Sequence, residues 1–499
     1  MRLELRVISD RGRQKFTIEA GENLLDVLSR YGYDIGAVCG GKASCYKCKV
    51  EFVDPVKPPT PKDISGLSKK ELDENIRLAC ANFIWEDSTV RVKDASKMEV
   101  LLAAKEPEIR QQSTSGHEHL VVDIGTTTLA LVLVDSSGKV IEAHGRKNAQ
   151  APYGADVISR IKHASQGGLP DLNKAIIGQI NLILKSMKNL NLDRLTSMTV
   201  LGNTTMLHLF LGKDCSGLGF HPYQGEFLAT QETRGKALGL DLDLPVKTMP
   251  NISSFAGSDL TAGILSLTDK SEKYKLLVDL GTNAEIALFK KDKFFAASAA
   301  AGPAFEGAGI KQGMPAIAGA ISSFSLVNGV TRIKTIGNLL PVGICGSGLI
   351  DIVAQLLENR LLDETGHMLL GPQFEVAENV YIYAEDIREM QLAKAAIATA
   401  VDMLIAAANV DFDDIEKVYL SGGFGSYINA ANAARIGLIP KELSDKIKVA
   451  GNTGLSGGIL FATDEKKRAL AEKIAASATY IDLAQNAEFS QKYIDYIMF

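Results

Sequence analysis

A repeated motif places the strongest limit on how this chain of 499 residues can fold. The stretch LVVDIGTTTLALVLVD begins at Leu120, and the similar stretch LLVDLGTNAEIALFK begins at Leu276. Each reads as an apolar strand, then Asp-x-Gly-Thr, then a second apolar strand, so Asp123 and Asp279 are equivalent. Such a repeat predicts a duplicated supersecondary unit and hence two related lobes. The alternative is a pair of unrelated hairpins that share a glycine turn.

The length of the chain predicts several domains, because it exceeds what one hydrophobic core supports. Residues 1–94 contain short strands and one helix, which predict a small α+β sheet of ferredoxin size. Residues 95–117 are polar, lack an apolar period and predict a linker. Residues 118–270 and 271–499 alternate strands with helices and predict the two lobes of one α/β domain.

Local patterns within the first domain predict its elements. RLELRVIS and RQKFTIEA alternate apolar and polar residues and predict a β-hairpin. NLLDVLSRYG has helical spacing and is expected to end at Gly32. DPVKPPTPKD is rich in proline and predicts an exposed loop between two later strands.

Composition and charge exclude several classes of protein. The net charge of -5 argues against general nucleic-acid binding. The start of the sequence, MRLELRVISD, has no apolar run and predicts no signal peptide. LAKAAIATAVDMLIAAANV carries Lys394 and Asp402, and therefore predicts a buried helix rather than a membrane span. Six cysteines in so long a chain do not indicate a secreted disulfide scaffold, so we expect a cytoplasmic protein.

Four of the six cysteines lie in the first eighty residues, at Cys39, Cys45, Cys48 and Cys80. Plant-type [2Fe–2S] ferredoxins use C-x4-C-x2-C and a distant fourth cysteine. The first gap here is one residue longer, which resembles vertebrate-type and bacterial redox-partner ferredoxins. The spacing therefore predicts that these four thiolates hold a [2Fe–2S] cluster.

Three alternatives for the cysteines fit the sequence less well. Structural zinc usually takes two C-x-x-C pairs, and the sequence has one. Disulfides conflict with a reducing compartment, and buried unliganded cysteines do not cluster in this way. Cys215 and Cys345 have no partner at ligand spacing and are interpreted as structural.

The Asp-x-Gly-Thr turns also predict a nucleotide site, because tight turns present backbone N–H groups and hydroxyls to phosphate. Asp123 and Asp279 are expected to face each other across a cleft. Two carboxylates there suit Mg²⁺, which keeps several waters and binds phosphates as well. The candidate phosphate-binding residues are Gly125, Thr126, Thr127, Gly281, Thr282 and Asn283.

A third glycine cluster, VYLSGGFGSYINA, follows an apolar strand. Gly422 and Gly423 would let an adenine and a ribose approach the backbone closely, because glycine has no side chain. The order of the three glycine-rich turns is more specific for a nucleotide than any one turn.

Several stretches of the sequence resemble a known family. Residues 118–499 resemble the actin-like ATPase superfamily, which includes sugar kinases and heat-shock chaperones. VLGNTTMLHLFLG, ASAAAGPAFEGAGI, GICGSGLID and LSGGFGSYINA resemble the reductive activators of corrinoid proteins. The resemblance covers nearly the whole chain. It implies a multidomain protein, with a β-grasp ferredoxin domain followed by a two-lobed α/β actin-like ATPase domain. Some family members carry an extra domain between the two modules, and residues 95–117 leave no room for it.

The resemblance implies an ATP-dependent enzyme. Corrinoid methyltransfer proteins work through Co(I), and the activator returns one electron from its [2Fe–2S] cluster when the cobalt has oxidised to Co(II). The implied cofactors are the cluster, ATP and Mg²⁺, and the implied partners are a corrinoid protein and a low-potential electron donor. A homodimer is a candidate assembly. The alternatives are a redox ATPase for another low-potential acceptor and a non-enzymatic redox or nucleotide sensor.

Other candidate residues have two interpretations each. In FFAASAAAGPAFEGAGI, Ser298 and Glu306 would face the corrinoid or order the attacking water, whereas the small residues predict tight packing between the lobes. Gly346 and Gly348 open a helix and would either hold an anion or allow close helix packing. His208 lies among apolar residues and is interpreted as a core histidine rather than a ligand.

Overall fold

The structure is a computed structural model. It describes residues 2–9, 12–31, 33, 35, 46, 48–92, 116–422, 428–483 and 486–499. Five predicted features lie outside the described residues: the helix stop Gly32, the cluster ligands Cys39 and Cys45, linker residues 95–115, and Gly423.

The chain divides into two compact units. The N-terminal unit consists of Met1–Met98 with Ala149–Ala155, and the large unit consists of Glu99–Asn148 with Asp156–Phe499.

The N-terminal unit contains a five-stranded sheet in the order β2-β1-β7-β4-β5 and a two-stranded sheet of β3 and β6. The antiparallel hairpin of β1 and β2 confirms the prediction from alternating residues. Buried apolar side chains from the sheet and from α1 form one core. Its elements are β1 (Arg2–Ser9), β2 (Gly12–Glu19), β3 (Glu22–Asn23), α1 (Leu24–Arg30), β4 (Lys49–Asp54), α2 (Pro61–Gly66), α3 (Lys69–Asp73), β5 (Ile76–Leu78), β6 (Phe83–Ile84) and β7 (Ser88–Arg91).

The loop predicted for DPVKPPTPKD is wrong at its C-terminal end, where α2 begins. The Asp63 N–H donates to Thr60 Oγ1 at 3.2 Å, and the Thr60 N–H donates to Asp63 Oδ2 at 2.8 Å. This reciprocal capping box satisfies two N–H groups at the start of the helix. Pro61 stands at the first helical position, where the missing N–H has no cost. The prolines therefore prepare a helix start as well as a loop.

The large unit begins with a six-stranded sheet in the order β10-β9-β8-β11-β13-β12. Its elements are β8 (Glu118–Ile124), β9 (Thr128–Asp135), β10 (Val140–Lys147), α4 (Val157–His163), α5 (Leu169–Ser186), β11 (Leu195–Gly202), α6 (Thr204–Leu211), β12 (Glu232–Arg234), β13 (Pro245–Thr248) and α7 (Ser258–Leu267).

A second six-stranded sheet in the large unit has the order β23-β22-β14-β15-β16-β24, and smaller sheets are formed by β17–β19 and by β20–β21. The elements are β14 (Tyr274–Leu280), β15 (Ala284–Lys290), β16 (Lys293–Ala299), β17 (Ala320–Val327), β18 (Val330–Thr335), β19 (Gly343–Ile344), α8 (Gly346–Glu358), β20 (Gln373–Ala377), β21 (Val380–Tyr383), α9 (Ala384–Ala408), β22 (Ile415–Ser421), α10 (Ala430–Arg435), β23 (Ile447–Gly451), α11 (Thr453–Thr463), α12 (Glu465–Ser477), β24 (Thr479–Tyr480) and α13 (Phe489–Asp495).

The two six-stranded sheets repeat one topology. In the first, β8 pairs antiparallel with β9 and parallel with β11, β9 pairs with β10, and β11 pairs with β13. In the second, β14, β15, β16, β22 and β23 make the same pairings with the same directions. The duplicated unit that the repeated motif predicts is therefore confirmed.

Helices α7 and α11 pack closely against each other, and their buried apolar residues form one core with residues of both six-stranded sheets. A Cβ atom at Gly457 would lie 1.9 Å from the Ala262 carbonyl oxygen, and one at Gly263 would lie 3.2 Å from Thr453 Oγ1. The first contact leaves no room for a side chain at Gly457, so the close packing of the two helices depends on this glycine in GLSGGIL. The N-cap residue of α11, Asn452, contacts Asp123 of β8, and Asp259 in the first turn of α7 lies near Asp123 and Asp279.

The long apolar helix of the sequence is α9. By length and composition it would cross a membrane, but 78% of its most apolar window is buried inside the protein. The Lys394 ammonium is also buried and bonds to the Met498 carbonyl oxygen. The prediction of a buried helix is confirmed.

Candidate functional site

Asp123 and Asp279 occupy equivalent positions, each one residue before the end of its strand. Asp123 is level with Leu201 of the parallel strand β11, and Asp279 is level with Ser421 of β22. Burial raises the pKa of each carboxyl to about 6, and the charge of Asp279 adds to the rise at Asp123. The structure thus brings the two predicted aspartates close enough for the charge of one to act on the other, and we call the space around them the cleft.

Two further carboxylates, to which the repeat does not point, join these aspartates. Asp259 is the second residue of α7, and burial together with the charges of Asp123 and Asp279 raises its pKa to about 7. Glu285 of β15 lies directly opposite Asp279 in the sheet. Burial, followed by the charges of the other three carboxylates, raises its pKa well above the ordinary value. We call Asp123, Asp259, Asp279 and Glu285 the acidic cluster.

The sequence contains a weak signal for Glu285, whereas the signal for Asp259 comes from the structure. Glu285 is an acid inside the otherwise apolar strand AEIALFK, and a charge there needs a reason. Asp259 follows Gly257, where a Cβ atom would lie 2.4 Å from the Asn203 Cα atom. Close packing therefore requires glycine at this position, and it brings the start of α7 against Asn203, the N-cap of α6.

Repulsion within the acidic cluster favours a cation, because neighbouring carboxylates oppose each other's ionisation. Within the described ranges, no three His, Cys, Asp or Glu side chains are placed to hold a metal ion by themselves. Mg²⁺ often binds one or two carboxylates and completes its shell with water and phosphate oxygens. The residues present therefore fit a metal that binds together with a phosphate group.

Buried side chains fix the first Asp-x-Gly-Thr turn. Asn148 Nδ2 donates to the Gly125 carbonyl oxygen at 2.7 Å, and Arg160 Nη2 donates to the Thr126 carbonyl oxygen at 2.6 Å. The Asn148 N–H donates to the Thr127 carbonyl oxygen at 2.8 Å. Arg160 is fully buried, and burial lowers its pKa to about 10. Because these donors take all three carbonyl groups, the backbone of the turn is held rigidly.

Two asparagines that cap helices also reach the cleft. Asn203, the N-cap of α6, donates from Nδ2 to Thr126 Oγ1 at 3.1 Å. Asn452, the N-cap of α11, donates from Nδ2 to Asp123 Oδ2 at 3.4 Å. Each side chain uses its oxygen to cap the helix and its nitrogen to orient a predicted site residue.

Glu306 joins the two turns. Thr282 Oγ1 donates to Glu306 Oε2 at 2.6 Å, and Thr127 Oγ1 donates to Glu306 Oε1 at 3.4 Å. Burial raises the pKa of Glu306, and the two threonine hydrogen bonds oppose that rise. Gly281 and Asn283 lie in the same turn as Thr282. One carboxylate therefore contacts a hydroxyl from each copy of the repeat.

Ser298 lies on β16, directly opposite Glu285 of the acidic cluster. It is partly buried, and the strand places it two strands away from Asp279. The structure therefore puts Ser298 beside the cleft, separate from the two turns that Glu306 joins.

The third glycine cluster begins at the end of β22. Gly422 has φ of +119°, and a Cβ atom there would lie 2.2 Å from the Leu280 carbonyl oxygen, so the position requires glycine. The residues that follow the cluster, Ile428 and Asn429, border a cavity of about 480 Å³. Its lining residues are Ser322, Ser323, Lys334, Thr335, Ile336, Gly337, Asn338, Asp351, Ile428 and Asn429.

Two of the four predicted cluster ligands are described, and they lie together. The sulfur atoms of Cys48 and Cys80 are 3.2 Å apart, and the Cys80 N–H lies 3.5 Å from Cys48 Sγ. This separation exceeds an S–S bond of about 2.05 Å and is short enough for two thiolates to share one iron. The two residues fit a [2Fe–2S] cluster, whose potential depends in part on N–H groups near the sulfurs.

The weaker candidates have mostly structural contacts. His208 Nδ1 lies 2.7 Å from the Thr204 carbonyl oxygen and Nε2 accepts from the Glu226 N–H at 3.0 Å, as expected for a core histidine. Cys345 Sγ donates to the Ile321 carbonyl oxygen at 3.2 Å. Cβ atoms at Gly346 and Gly348 would lie 2.0 and 2.1 Å from carbonyl oxygens, which supports close helix packing. Cys215 is buried, and burial raises its pKa to about 11.

Three family models match the chain in sequence. Residues 7–84 match the 2Fe-2S iron-sulfur cluster binding domain, and residues 119–270 match the RACo middle region. Residues 273–499 match the C-terminal domain of RACo, the ASKHA domain. The corrinoid activation enzyme RamQ of Eubacterium limosum is 33% identical over 419 residues, which span 76% of this chain and 70% of the relative.

The chain belongs to the family of reductive activators of corrinoid proteins. The predicted family and fold class are thereby confirmed, with an N-terminal ferredoxin domain and an actin-like ATPase domain. The [2Fe–2S] cluster and nucleotide binding follow from these two domains.

Two further activators resemble the chain. A [Co(II) methylated amine-specific corrinoid protein] reductase of Methanosarcina barkeri is 29% identical over 383 residues, which cover 68% of each chain. The solved structure of a reductive activator for corrinoid, iron-sulfur protein superposes with a TM-score of 0.71 at 27% identity. That match covers 99% of this chain and 98% of the other.

Proposed function

We propose that this activator passes one electron from its [2Fe–2S] cluster to the Co(II) of a corrinoid protein, restores Co(I), and uses ATP to drive the transfer. One observation carries the proposal. A single chain holds two thiol sulfurs 3.2 Å apart at ferredoxin spacing and a cleft in which Glu306 contacts both copies of a phosphate-type turn. The electron acceptor is taken from what the named relatives act on.

The energetics explain why a nucleotide is needed. Plant-type clusters have potentials near about −400 mV, and the Co(II)/Co(I) couple is expected to lie lower. Each 100 mV of uphill transfer costs about 2.3 kcal/mol per electron. A nucleotide that binds one conformation more tightly by a few kcal/mol would offset such a gap.

The proposed phosphate site is the space between the two turns. Gly125, Thr126 and Thr127 of the first copy and Gly281, Thr282 and Asn283 of the second would bind the phosphate oxygens of ATP. Asp123 and Asp279 would hold Mg²⁺ through oxygen atoms or through its waters. Burial raises the pKa of both aspartates, and the charge of Asp279 adds to the rise at Asp123, so a bound cation would favour the ionised form of each carboxyl.

The proposed nucleoside site is the cavity of about 480 Å³ beside Ile428 and Asn429. Its hydroxyl groups, Lys334 and Asp351 would recognise the ribose and the base, and Gly422 would let them approach the backbone. Replacement of Ser323 by tryptophan would fill the cavity and weaken ATP binding. Ser325→Trp, two residues along the same strand and outside the lining, is the matched control; equal binding by both variants would refute the site.

Glu306 is the proposed base that orders the attacking water. It lies where the two turns meet, and its raised pKa suits proton transfer. Glu306→Gln should lower ATP turnover by about 100-fold, as for loss of a general base, while ATP affinity stays within threefold. Glu385→Gln, at an exposed carboxylate, should leave both unchanged. Ser298 is proposed to line the path from the cleft to the corrinoid, because it lies beside Glu285.

The proposed organisation assigns residues 1–94 to the ferredoxin domain, 95–117 to a linker, 118–270 to the first lobe and 271–499 to the second. The family matches to residues 7–84, 119–270 and 273–499 support it. Cys39 and Cys45 are proposed as the remaining cluster ligands. A low-potential protein is the proposed electron donor. The cytoplasm is the proposed compartment, because thiols stay reduced there.

The test is ATP turnover with and without a corrinoid protein poised as Co(II). The proposal predicts stimulation by the Co(II) form and formation of Co(I). Stimulation by another low-potential acceptor, with none by the corrinoid protein, would instead favour a redox ATPase of a different substrate. Nucleotide binding without turnover under any condition would favour a sensor.

A further inference from the structure

Asp63 is a fully buried carboxylate in the N-terminal unit that the proposed function does not use. Its relative exposure is 0%. Asp63 caps its own helix, as described above, but a capping residue is ordinarily exposed, and burial of this one needs another explanation. The explanation lies in the segment that contains Cys80.

Four donors point at the two oxygens of Asp63. The Leu78 N–H donates to Oδ1 at 2.7 Å, and Asn82 Nδ2 donates to Oδ2 at 3.2 Å. The Thr60 N–H and hydroxyl each donate to Oδ2 at 2.8 Å. A site with four donors is suited to the carboxylate anion, which only accepts hydrogen bonds.

Leu78 and Asn82 stand two residues before and two residues after Cys80. Between them is the short helical turn Ala79–Ala81, and Asn82 Nδ2 also donates to the Leu78 carbonyl oxygen at 2.9 Å. Asp63 therefore accepts hydrogen bonds from residues at both ends of the turn that carries Cys80.

The charge of Asp63 has no counter-ion among the described side chains within 4.0 Å. Arg77 is the buried cation of the same segment, and its hydrogen bonds go to the carbonyl oxygens of Lys57, Leu72 and Ile76. A buried anion that is not ion-paired acts at long range, because the protein interior screens charge weakly.

We propose that Asp63 is a positioning residue for Cys80 and that its buried negative charge lowers the reduction potential of the [2Fe–2S] cluster. Reduction adds one negative charge to the cluster, and a fixed anion nearby opposes that addition. Net charge and hydrogen bonding around a cluster are known determinants of its potential. A low potential is what an electron donor to cobalt requires.

The test is an anaerobic redox titration of the full chain, followed by electron paramagnetic resonance. Asp63→Asn keeps the size of the side chain and removes its charge. At a fixed potential, we expect the ratio of reduced to oxidised cluster to rise at least tenfold. This rise corresponds to an increase of about 59 mV in the reduction potential for one electron. Asp63→Glu keeps the charge, so its ratio of reduced to oxidised cluster should stay within threefold of the parent's.

Glu71→Gln is the matched control. Glu71 occupies the same capping position in α3, where its Oε2 accepts from the Ser68 N–H at 2.8 Å, but it ion-pairs with Lys49 and is partly exposed. Its replacement should leave the ratio of reduced to oxidised cluster within twofold of the parent's. An unchanged potential in Asp63→Asn with an intact cluster would overturn the charge effect.

A second measurement addresses position and covers failure of cluster assembly. Amide hydrogen exchange at Leu78 should accelerate at least tenfold in Asp63→Ala, and unchanged exchange would overturn the positioning role. If Asp63→Asn does not retain a cluster, Asp63→Glu decides the charge effect. A ratio of reduced to oxidised cluster within threefold of the parent's supports the proposal, and a tenfold rise of that ratio overturns it.

Discussion

The two copies of the Asp-x-Gly-Thr motif differ in what faces each aspartate across the hairpin. In the first copy, Asp123 pairs with Ala130, seven residues later. In the second copy, Asp279 pairs with Glu285, six residues later. The second turn is therefore one residue shorter, and the shorter turn brings an acid into register with the aspartate.

The comparison separates two roles within one duplicated fold. The carbonyl groups of the first turn are held by Arg160 and Asn148, which makes this copy a rigid support. The second copy carries Glu285 and the shorter hydrogen bond to Glu306. The difference of one residue in turn length therefore adds a second acid, Glu285, beside the aspartate of the second copy.

The largest expected effect comes from removal of either shared aspartate. Asp123→Ala and Asp279→Ala should each lower ATP turnover by about 100-fold or more, because each removes a carboxylate near the metal. Each should also raise the melting temperature of the nucleotide-free protein, since one of four repelling charges is lost. Turnover and thermal unfolding of the same samples test both statements. Parental turnover in both variants would place the phosphate site elsewhere.

Glu285→Ala makes the second copy resemble the first and so tests the comparison directly. We expect turnover to fall about tenfold, as for loss of a residue that orients a catalytic group. The reciprocal control is Ala130→Ser, which changes the equivalent position without adding a charge and should have little effect. If both variants retain parental turnover, the difference between the copies has no catalytic meaning.

The acidic cluster also predicts how stability depends on pH. Folding raises the pKa values of Asp123 and Asp279 to about 6 and that of Asp259 to about 7, from 3.8. The folded state then binds protons more tightly, so the resulting stability is complete below pH 3.8 and is lost as pH rises through 6 to 7. The melting temperature of the nucleotide-free protein should fall from pH 5 to pH 7.5, and Asp259→Asn should flatten the slope. An equal slope in that variant would contradict the assignment.

The smallest expected effect is at Thr127, one of the two threonines whose hydroxyls donate to Glu306. Thr282→Val removes the 2.6 Å hydrogen bond, and Thr127→Val removes the 3.4 Å hydrogen bond. A net hydrogen bond to a charged group is worth about 1.5–3 kcal/mol, so Thr282→Val should reduce turnover about tenfold or more. Thr127→Val should reduce it less than threefold, because its bond is long. The reverse order would show that the first copy, not the second, controls Glu306.

Much of this arrangement could be predicted from the sequence, because it depends on local patterns. Asp123, Asp279 and the glycine turns repeat visibly, and the cysteine spacing matches a known cluster pattern. The burial of α9 follows from its apolar composition. The core role of His208 follows from its apolar neighbours.

The rest depends on register and tertiary contact. Glu285 reaches Asp279 only because the turn is one residue short, and a motif alignment does not show strand pairing. Asp259 comes from a helix start that lies outside both motif copies. Asp63 lies in a proline-rich segment that resembles a loop until its capping box is seen. Such residues are found by distance in space rather than by spacing in sequence.

The central claim is that nucleotide in the cleft drives the electron from the cluster to cobalt. The direct measurement is a single-turnover experiment in which the full chain, with its cluster reduced beforehand, is mixed with a Co(II) corrinoid protein. Absorbance follows the appearance of Co(I), with and without Mg–ATP, in the parent and in Asp279→Ala. The account predicts at least tenfold more Co(I) with Mg–ATP, about 1.4 kcal/mol of coupling, and no such gain in Asp279→Ala. Equal formation of Co(I) without nucleotide, or an undiminished gain in Asp279→Ala, would contradict it.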